Sequence, residues 1–226
     1  MSFIADNAID LPFGTTVFAE PLATEPLVVN GNVESNLIVT GFANDSVSGG
    51  GGNDTLDGGA GNDLLAGNEG NDSVFGGEGN DTVRGGQGDD VIGGGRSADL
   101  INGNKGNDNC FGGEGEDTVR GGQGFDSLSG GLGADELNGN LDNDVLTGGG
   151  GSDSFVLSKG SDTVTDFSFS DGDKIVIDID PNIDPQLQYQ LVQEGSNLLI
   201  VRSQGTTTLL NVSLNAFEAA NPIVFI

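Results

Sequence analysis

Aspartates spaced nine residues apart are the residues of this chain best suited to do chemistry. A carboxylate can bind a hard cation, transfer a proton or attack an electrophile, and its neighbours decide which. The chain contains no histidine, the commonest general base and a frequent zinc ligand. The regular spacing therefore favours cation binding over catalysis. The fourteen evenly spaced members are Asp45, Asp54, Asp63, Asp72, Asp81, Asp90, Asp99, Asp108, Asp117, Asp126, Asp135, Asp144, Asp153 and Asp162.

These aspartates occupy the sixth position of a nonapeptide repeat that runs from Thr40 to Thr165 without insertion or deletion. The eighth position is apolar in all 14 copies, and the first is glycine in 12. Glycine at positions one, two and four permits positive φ, while an apolar residue between polar neighbours is typical of a strand with one buried face. We therefore expect each nonad to hold a six-residue turn followed by a three-residue strand.

Two such nonads make one coil of 18 residues, and stacked coils predict two parallel sheets. Alternate aspartates then form two rows at the edges, one starting at Asp45 and the other at Asp54. Carboxylates about 5 Å apart repel one another by about 1 kcal/mol even in water. Something must neutralise them. Calcium accepts six to eight oxygen ligands in flexible loops, whereas magnesium demands a tighter octahedron.

Composition excludes several classes of protein. The net charge of −28 argues against nucleic acid as a partner, and no apolar run is long enough to span a membrane. The single cysteine, Cys110, excludes a disulfide within the chain and occupies an apolar repeat position, so we expect it to be buried. The start of the sequence lacks the pattern of a cleaved secretory signal. We expect a protein that is either cytosolic or exported by another route.

Three regions are predicted along the chain. Residues 1–39 are interpreted as an N-terminal cap with one degenerate repeat at 31–39, which carries Ile38 in the apolar position and Asn36 in the sixth. Residues 40–165 form the solenoid. Residues 166–226 are interpreted as a C-terminal antiparallel β cap, in which KIVIDID, LQYQLVQ, LLIVRS and TTTLLNVSL are strands and NAFEAAN is a helical turn.

The nonads GGGGNDTLD, GGAGNDLLA and GGEGNDTVR fit the pattern GGxGxDxUx, and the chain resembles the RTX (repeats-in-toxin), or hemolysin-type, calcium-binding repeat proteins. The resemblance implies an all-β, right-handed parallel β-roll. It also implies that the fourteen aspartates and the glycine-loop carbonyls bind multiple Ca²⁺ ions, up to about 12. About ten such ions would reverse the net charge of −17 of residues 40–165. The family further implies type I secretion through an uncleaved C-terminal signal, which residues 166–226 would contain.

Departures from the pattern mark weaker positions. Ala43, Ser97 and Asp142 replace the third loop glycine, and LSKGSD (157–162) lacks both leading glycines, so the adjacent sites are expected to be less secure. Asp142 is a candidate additional ligand. For Asp166, Asp171 and Asp173, metal binding and a turn or cap role both stay open.

The sequence therefore predicts a non-enzymatic, secreted β-roll that is disordered at low calcium and folds outside the cell. The alternative is a calcium-dependent module for carbohydrate binding or surface adhesion, and a third hypothesis is a cytosolic calcium buffer. Arg84 and Arg120, with Lys105 between them, predict either a solvated face or a stripe for an anionic polysaccharide. Phe75 and Phe111 are expected to point outward from the other sheet, either covered by a flanking segment or forming a protein contact.

Overall fold

The computed structural model describes residues 8–10, 16–18, 25–177, 189–220 and 222–225. These residues form strands that alternate between two sheets, as the repeat predicted. The strands before and within the repeat are β1 Ala8–Asp10, β2 Thr16–Phe18, β3 Val28–Asn32, β4 Leu37–Val39, β5 Ser46–Gly51, β6 Thr55–Ala60, β7 Leu64–Glu69, β8 Ser73–Glu78, β9 Thr82–Gln87, β10 Val91–Arg96, β11 Leu100–Lys105, β12 Asn109–Glu114, β13 Thr118–Gln123, β14 Ser127–Leu132, β15 Glu136–Leu141, β16 Val145–Gly150, β17 Ser154–Leu157 and β18 Thr163–Val164.

The remaining elements follow the repeat. They are β19 Lys174–Ile177, β20 Tyr189–Glu194, β21 Asn197–Arg202, β22 Gly205–Leu209, α1 Leu214–Ala220 and β23 Ile223–Phe225. Within the described residues, the predicted C-terminal strands and short helix are present, although residues 178–188 lie outside the described part. The antiparallel arrangement holds for β20, β21 and β22, but was wrong for β19, which pairs in parallel with β17 and β23. Among the described residues, no helix is long and apolar enough to cross a bilayer.

From β1 to β20, odd-numbered strands lie in one sheet and even-numbered strands in the other, whereas β21 joins the even-numbered sheet. The first sheet has the order β1-β3-β5-β7-β9-β11-β13-β15-β17-β19-β23, and the second runs β2-β4-β6-β8-β10-β12-β14-β16-β18-β22-β21-β20. All pairs are parallel except those between β20, β21 and β22. Within the repeat each residue faces its counterpart 18 positions away, as in Val74, Ile92 and Cys110. The structure is therefore an all-β parallel β-roll, and the predicted coil of two nonads is confirmed.

Strand length within the nonad was predicted wrongly. Most repeat strands span six residues, from position seven of one nonad to position three of the next, so the turn keeps only three. The reason is that glycines bring successive backbones together: Gly95 pairs with Gly77 and Gly113 in the same register as the apolar residues. The ladder therefore continues through the glycines.

The core is a stacked row of side chains from position eight of every nonad. These residues, from Val47 to Val164, are 0–3% exposed, and Cys110 is fully buried among them as predicted. The degenerate repeat also joins the core, because Ile38 is 0% exposed and pairs with Leu56. Whether residues 1–39 and 166–226 act as separate caps stays a prediction.

An aromatic cluster lies at the C-terminal end of this stacked row. Phe167 contacts Phe155, Phe169 and Phe217, with ring centroids 5.2 to 6.1 Å apart. Phe217 of α1 is 2% exposed, so the helix covers the last coil with its one buried side chain. This packing encloses apolar surface that the final repeat would otherwise expose.

Candidate metal-binding edges

Tight turns at both edges of the roll position the aspartates. The glycine at position four adopts positive φ, as at Gly79 (φ 124°) and Gly88 (φ 123°). A Cβ on Gly79 would collide with the carbonyl oxygen of Gly61 one coil earlier, so a side chain is excluded by space as well as by φ. Ser97 and Asp142 occupy this position with φ of 75°, which is strained for residues other than glycine.

The structure brings all fourteen predicted aspartates into the two expected rows. In twelve of them, from Asp45 to Asp144, the backbone N–H donates to the Oδ1 atom of the aspartate 18 residues later, over 2.7 to 3.2 Å. Asp81 N, for example, donates to Asp99 Oδ1, and Asp99 N donates to Asp117 Oδ1, each over 2.8 Å. One carboxylate per coil therefore lines each edge in an unbroken ladder.

These carboxylates lie inside the turns and are buried there. Their residues are 1–3% exposed. Oδ1 has its backbone donor, but Oδ2 is buried and has no hydrogen-bond partner in thirteen of the fourteen, all except Asp45. A buried oxygen without a donor is costly unless a ligand satisfies it.

Glycine at position one creates the space into which Oδ2 points. A Cβ on Gly67 would collide with Asp72 Oδ2 and would lie 2.7 Å from the carbonyl oxygen of Gly85 in the next coil. The same carboxylate oxygen of its own nonad lies against each of the twelve first-position glycines. Carboxylate and carbonyl oxygens thus converge on a place that any larger residue would fill.

Burial also changes the acidity of these groups. Desolvation is the largest cause, and the charges of Asp81 and Asp117 add to it, so the pKa of Asp99 rises from 3.8 to about 7. The pKa of Asp63 rises to about 7 for the same reasons. The backbone donor lowers each value but does not outweigh burial. Without a cation, the edges therefore hold carboxylates that resist ionisation near neutral pH.

The two ends of the repeat differ from its middle. At the first nonad Thr40 replaces the glycine, and its Oγ1 donates to the carbonyl oxygen of Gly58 over 2.7 Å. At the last nonad Leu157 stands in the glycine position and is 4% exposed. Side chains therefore take the space beside Asp45 and Asp162 that glycine leaves free elsewhere.

Asp162 also has a cation of the protein itself nearby. Burial raises its pKa to about 6, and the charge of Arg202 opposes that rise. Arg202 belongs to the antiparallel strand β21, and its Nε is buried without a hydrogen-bond partner. The sequence did not identify this residue, because no repeat position marks an electrostatic interaction between residues 40 positions apart.

Two of the three aspartates left open after the repeat join the edge structure. Asp173 Oδ1 accepts from Asp153 N over 3.0 Å and Oδ2 from Ser168 N over 2.8 Å, so Asp173 extends the first row. Asp166 accepts from the backbone N–H groups of Gly148 and Gly149 over 2.9 and 2.8 Å. Both oxygens of each carboxylate are engaged by the protein, whereas Asp171 is exposed. These contacts favour the turn role.

The available donors fit a hard cation. In the part of the chain that the structure describes, no group of three or more cysteine or acidic side chains converges on one point. Any site along the edges must combine carboxylates with backbone carbonyls. An all-oxygen set in glycine loops is the donor chemistry that Ca²⁺ prefers, and it lacks the nitrogen and sulfur that zinc prefers.

Comparison with known proteins identifies one matching family model. The family model described as the RTX calcium-binding nonapeptide repeat (4 copies) matches residues 30–65, 57–92, 66–101, 90–119, 111–146 and 129–164. Among solved structures, the crystal structure of extracellular lipase LipA from Serratia marcescens matches with a TM-score of 0.40 and 19% identity. That match covers 90% of this chain but only 40% of the lipase chain. No curated protein matches the sequence.

Proposed function

Because the chain belongs to the RTX family of calcium-binding nonapeptide-repeat proteins, we propose that it is a non-enzymatic secreted β-roll that folds on binding about ten Ca²⁺ ions outside the cell. The observation that carries the proposal is the file of buried Oδ2 atoms without donors along both edges. Each of these oxygens has been removed from water and has no protein partner, which is the state of a ligand atom prepared for a cation.

The proposed ligands are the fourteen aspartates of the two rows together with carbonyl oxygens of the glycine turns. A bound Ca²⁺ supplies positive charge and accepts six to eight oxygen ligands at such a place. Asp54 through Asp153 combine an unpartnered Oδ2 with a first-position glycine, so they are the strongest candidates. Asp45 beside Thr40 and Asp162 beside Leu157 are the weakest.

Folding and binding are coupled in this proposal. The metal-free roll must bury carboxylates at an interval of one coil, and burial raises the pKa of Asp63, Asp90, Asp99 and Asp144 to about 7. The unfolded chain leaves the same groups in water. Free energy of ligand binding is therefore available to drive folding, as for other sites that do not preexist in the unfolded chain.

The absence of catalysis is also part of the proposal. The chain has no histidine, and the Oδ1 atoms of the ladder aspartates each accept a backbone N–H. RTX β-rolls are typically non-catalytic. Secretion to the extracellular space fits a protein whose order requires the calcium concentration found there, where modules bind with dissociation constants of roughly 10⁻⁴ to 10⁻³ M.

Circular dichroism tests this function directly. Calcium should produce a β-sheet signal from a chelated chain that lacks it, while magnesium at the same concentration should produce little. Isothermal titration calorimetry should then give a stoichiometry of about ten ions. The proposal fails if the chelated chain keeps the whole β signal, or if magnesium replaces calcium at equal concentration.

The alternative of carbohydrate binding is favoured by one surface of the first sheet. An open groove of about 730 Å³ is lined by Lys105, Arg120 and Lys159 together with the amides of Asn102, Asn104 and Asn138. Arg84 lines the adjoining groove of about 410 Å³. Four of the seven basic residues of the chain thus lie along one face of a strongly acidic protein. Such a face suits an anionic polysaccharide.

Affinity electrophoresis in a gel containing alginate tests the alternative. Retardation of the calcium-loaded chain should disappear in the Arg84→Glu/Arg120→Glu variant. Arg96→Glu is the matched control, because Arg96 lies in the second sheet and contacts Glu78 over 3.0 Å. Equal retardation of all three proteins would exclude this face as the binding site.

A further inference from the structure

One half of each strand in the second sheet carries no charge on its outward face along most of the sheet. From β8 to β16 the two outward positions in the first half of each strand, nonad positions seven and nine, hold only serine, threonine, asparagine, glycine, valine and phenylalanine. We call these ten positions the neutral strip. The chain as a whole carries 42 charged residues, and the corresponding face of the first sheet includes Arg84, Arg120 and Glu136. The lack of charge is therefore a property of one face.

Two aromatic side chains mark the strip. Phe75 and Phe111 are 42% and 48% exposed and both pair with Gly93, which lies between them. They are two coils apart, about 9.6 Å along the roll axis. A Cβ on Gly93 would lie 3.1 Å from Cδ1 of Phe75, so the Phe75 ring leans over the glycine. Because Gly93 has no side chain, no other group rises from the sheet between the two rings.

Charges bordering the strip are already paired. At the ends of the same strands, Arg96 contacts Glu78 over 3.0 Å and Glu114 over 3.9 Å. The ladder aspartates are buried in the turns beyond them. A charged partner would find no opposite charge on the ten positions of the strip itself. An uncharged occupant fits this distribution.

The dimensions of the neutral strip favour a linear polymer over a second protein as its occupant. Five strands about 4.8 Å apart give a strip roughly 19 Å long, and the two rows lie about 7 Å apart across it. The resulting area is on the order of 200 Å², well below the roughly 800 Å² per partner of a stable protein interface. A second copy of the chain is therefore a poor occupant. One extended polymer chain fits the length and the width of the strip.

We propose that the neutral strip binds an uncharged β-linked polysaccharide, such as a β-glucan or chitin chain, lying parallel to the roll axis. The C–H-rich faces of alternate pyranose rings pack on Phe75 and Phe111, because such faces are apolar and aromatic faces attract their partly positive hydrogens. Side chains such as Ser129 and Thr147 supply hydroxyl groups for hydrogen bonds with the sugar hydroxyls. The strip exists only in the folded roll, so this binding rests on the proposed calcium-dependent folding.

Retention on microcrystalline cellulose, on chitin and in gels containing a soluble β-glucan tests the proposal with the full chain in calcium. Phe75→Ser/Phe111→Ser should weaken retention by about tenfold or more, since each ring contributes a packing contact. Phe125→Ser is the matched control, because Phe125 is 63% exposed in the turn before β14 and is not one of the ten strip positions. Ser129→Glu, which adds charge without removing a ring, should also weaken retention.

Circular dichroism of each variant during calcium titration separates folding from binding. Unchanged titrations with lost retention support the strip. A folded wild-type chain that is not retained by any of the three glycans overturns the strip while leaving the proposed function standing. Equal retention of wild type and the double variant also overturns it, as does sedimentation showing a dimer that Phe75→Ser/Phe111→Ser dissociates.

Discussion

Replacing Asp99 with asparagine should stabilise the metal-free folded state and weaken calcium binding by the loaded state. Asp99 lies in the middle of its row, and burial with the charges of Asp81 and Asp117 raises its pKa from 3.8 to about 7. At pH 8 the folded, metal-free roll must ionise this group at a cost of about 4 kcal/mol, at 1.36 kcal/mol per pKa unit. Asparagine removes that cost, and its Nδ2 can donate towards the nearby carbonyl oxygen of Gly112.

In calcium the same change removes one negative ligand from the ladder. We expect the midpoint of the calcium titration to rise by about tenfold, while the chelated variant shows more residual β signal than the wild type. Circular dichroism at pH 8, in calcium and in EDTA, measures both effects. Asp89→Asn is the control, because Asp89 is an exposed turn residue whose Oδ1 accepts from Asn107 N, as an asparagine oxygen also can. An unchanged midpoint, or a chelated variant less ordered than the wild type, would refute the reasoning.

Three further predictions follow from the same edges. Acidifying the chelated chain from pH 7 towards pH 4 should increase its β signal, because the folded pKa values of Asp63 and Asp99 are raised to about 7 while the unfolded value is 3.8; a signal that only falls with pH contradicts this. Gly67→Ala should raise the calcium midpoint because its Cβ collides with Asp72 Oδ2, whereas Gly150→Ala, whose Cβ meets only a Leu132 methyl at 3.4 Å, should behave as wild type in the same titration. Cys110 should react with a thiol reagent rapidly in EDTA and slowly in calcium, since it is 0% exposed in the roll and burial raises its pKa; equal rates would show that the core forms without calcium.

The regular part of the fold was predictable because the same residue types recur at the same positions in every nonad. An apolar residue at position eight determines which side chain faces inward, and the 18-residue coil determines the pairing of Ile92 with Val74 and Cys110. The grouping of the aspartates into two rows follows from the same arithmetic.

What the sequence did not predict depends on close approach of backbones. The strands continue through Gly95 and its partners because no Cβ separates the coils, and the ladder aspartates are buried because Oδ2 occupies the space that position-one glycines leave. The repeat pattern shows where glycine occurs, but it does not show which atom occupies the space that a side chain would otherwise take. The electrostatic interaction between Arg202 and Asp162 and the cluster around Phe167 each join the end of the repeat to segments beyond it, where no periodicity signals them.

The division of strands by parity sets the step in which this molecule can change length. Inserting or deleting 18 residues adds or removes one whole turn and leaves every downstream side chain on its original sheet. A change of nine would transfer all downstream residues to the opposite sheet, so that Arg120, for example, would lie in the sheet that at present carries Phe75. Gene duplication in single nonads would scramble both faces, whereas duplication in pairs would only lengthen them.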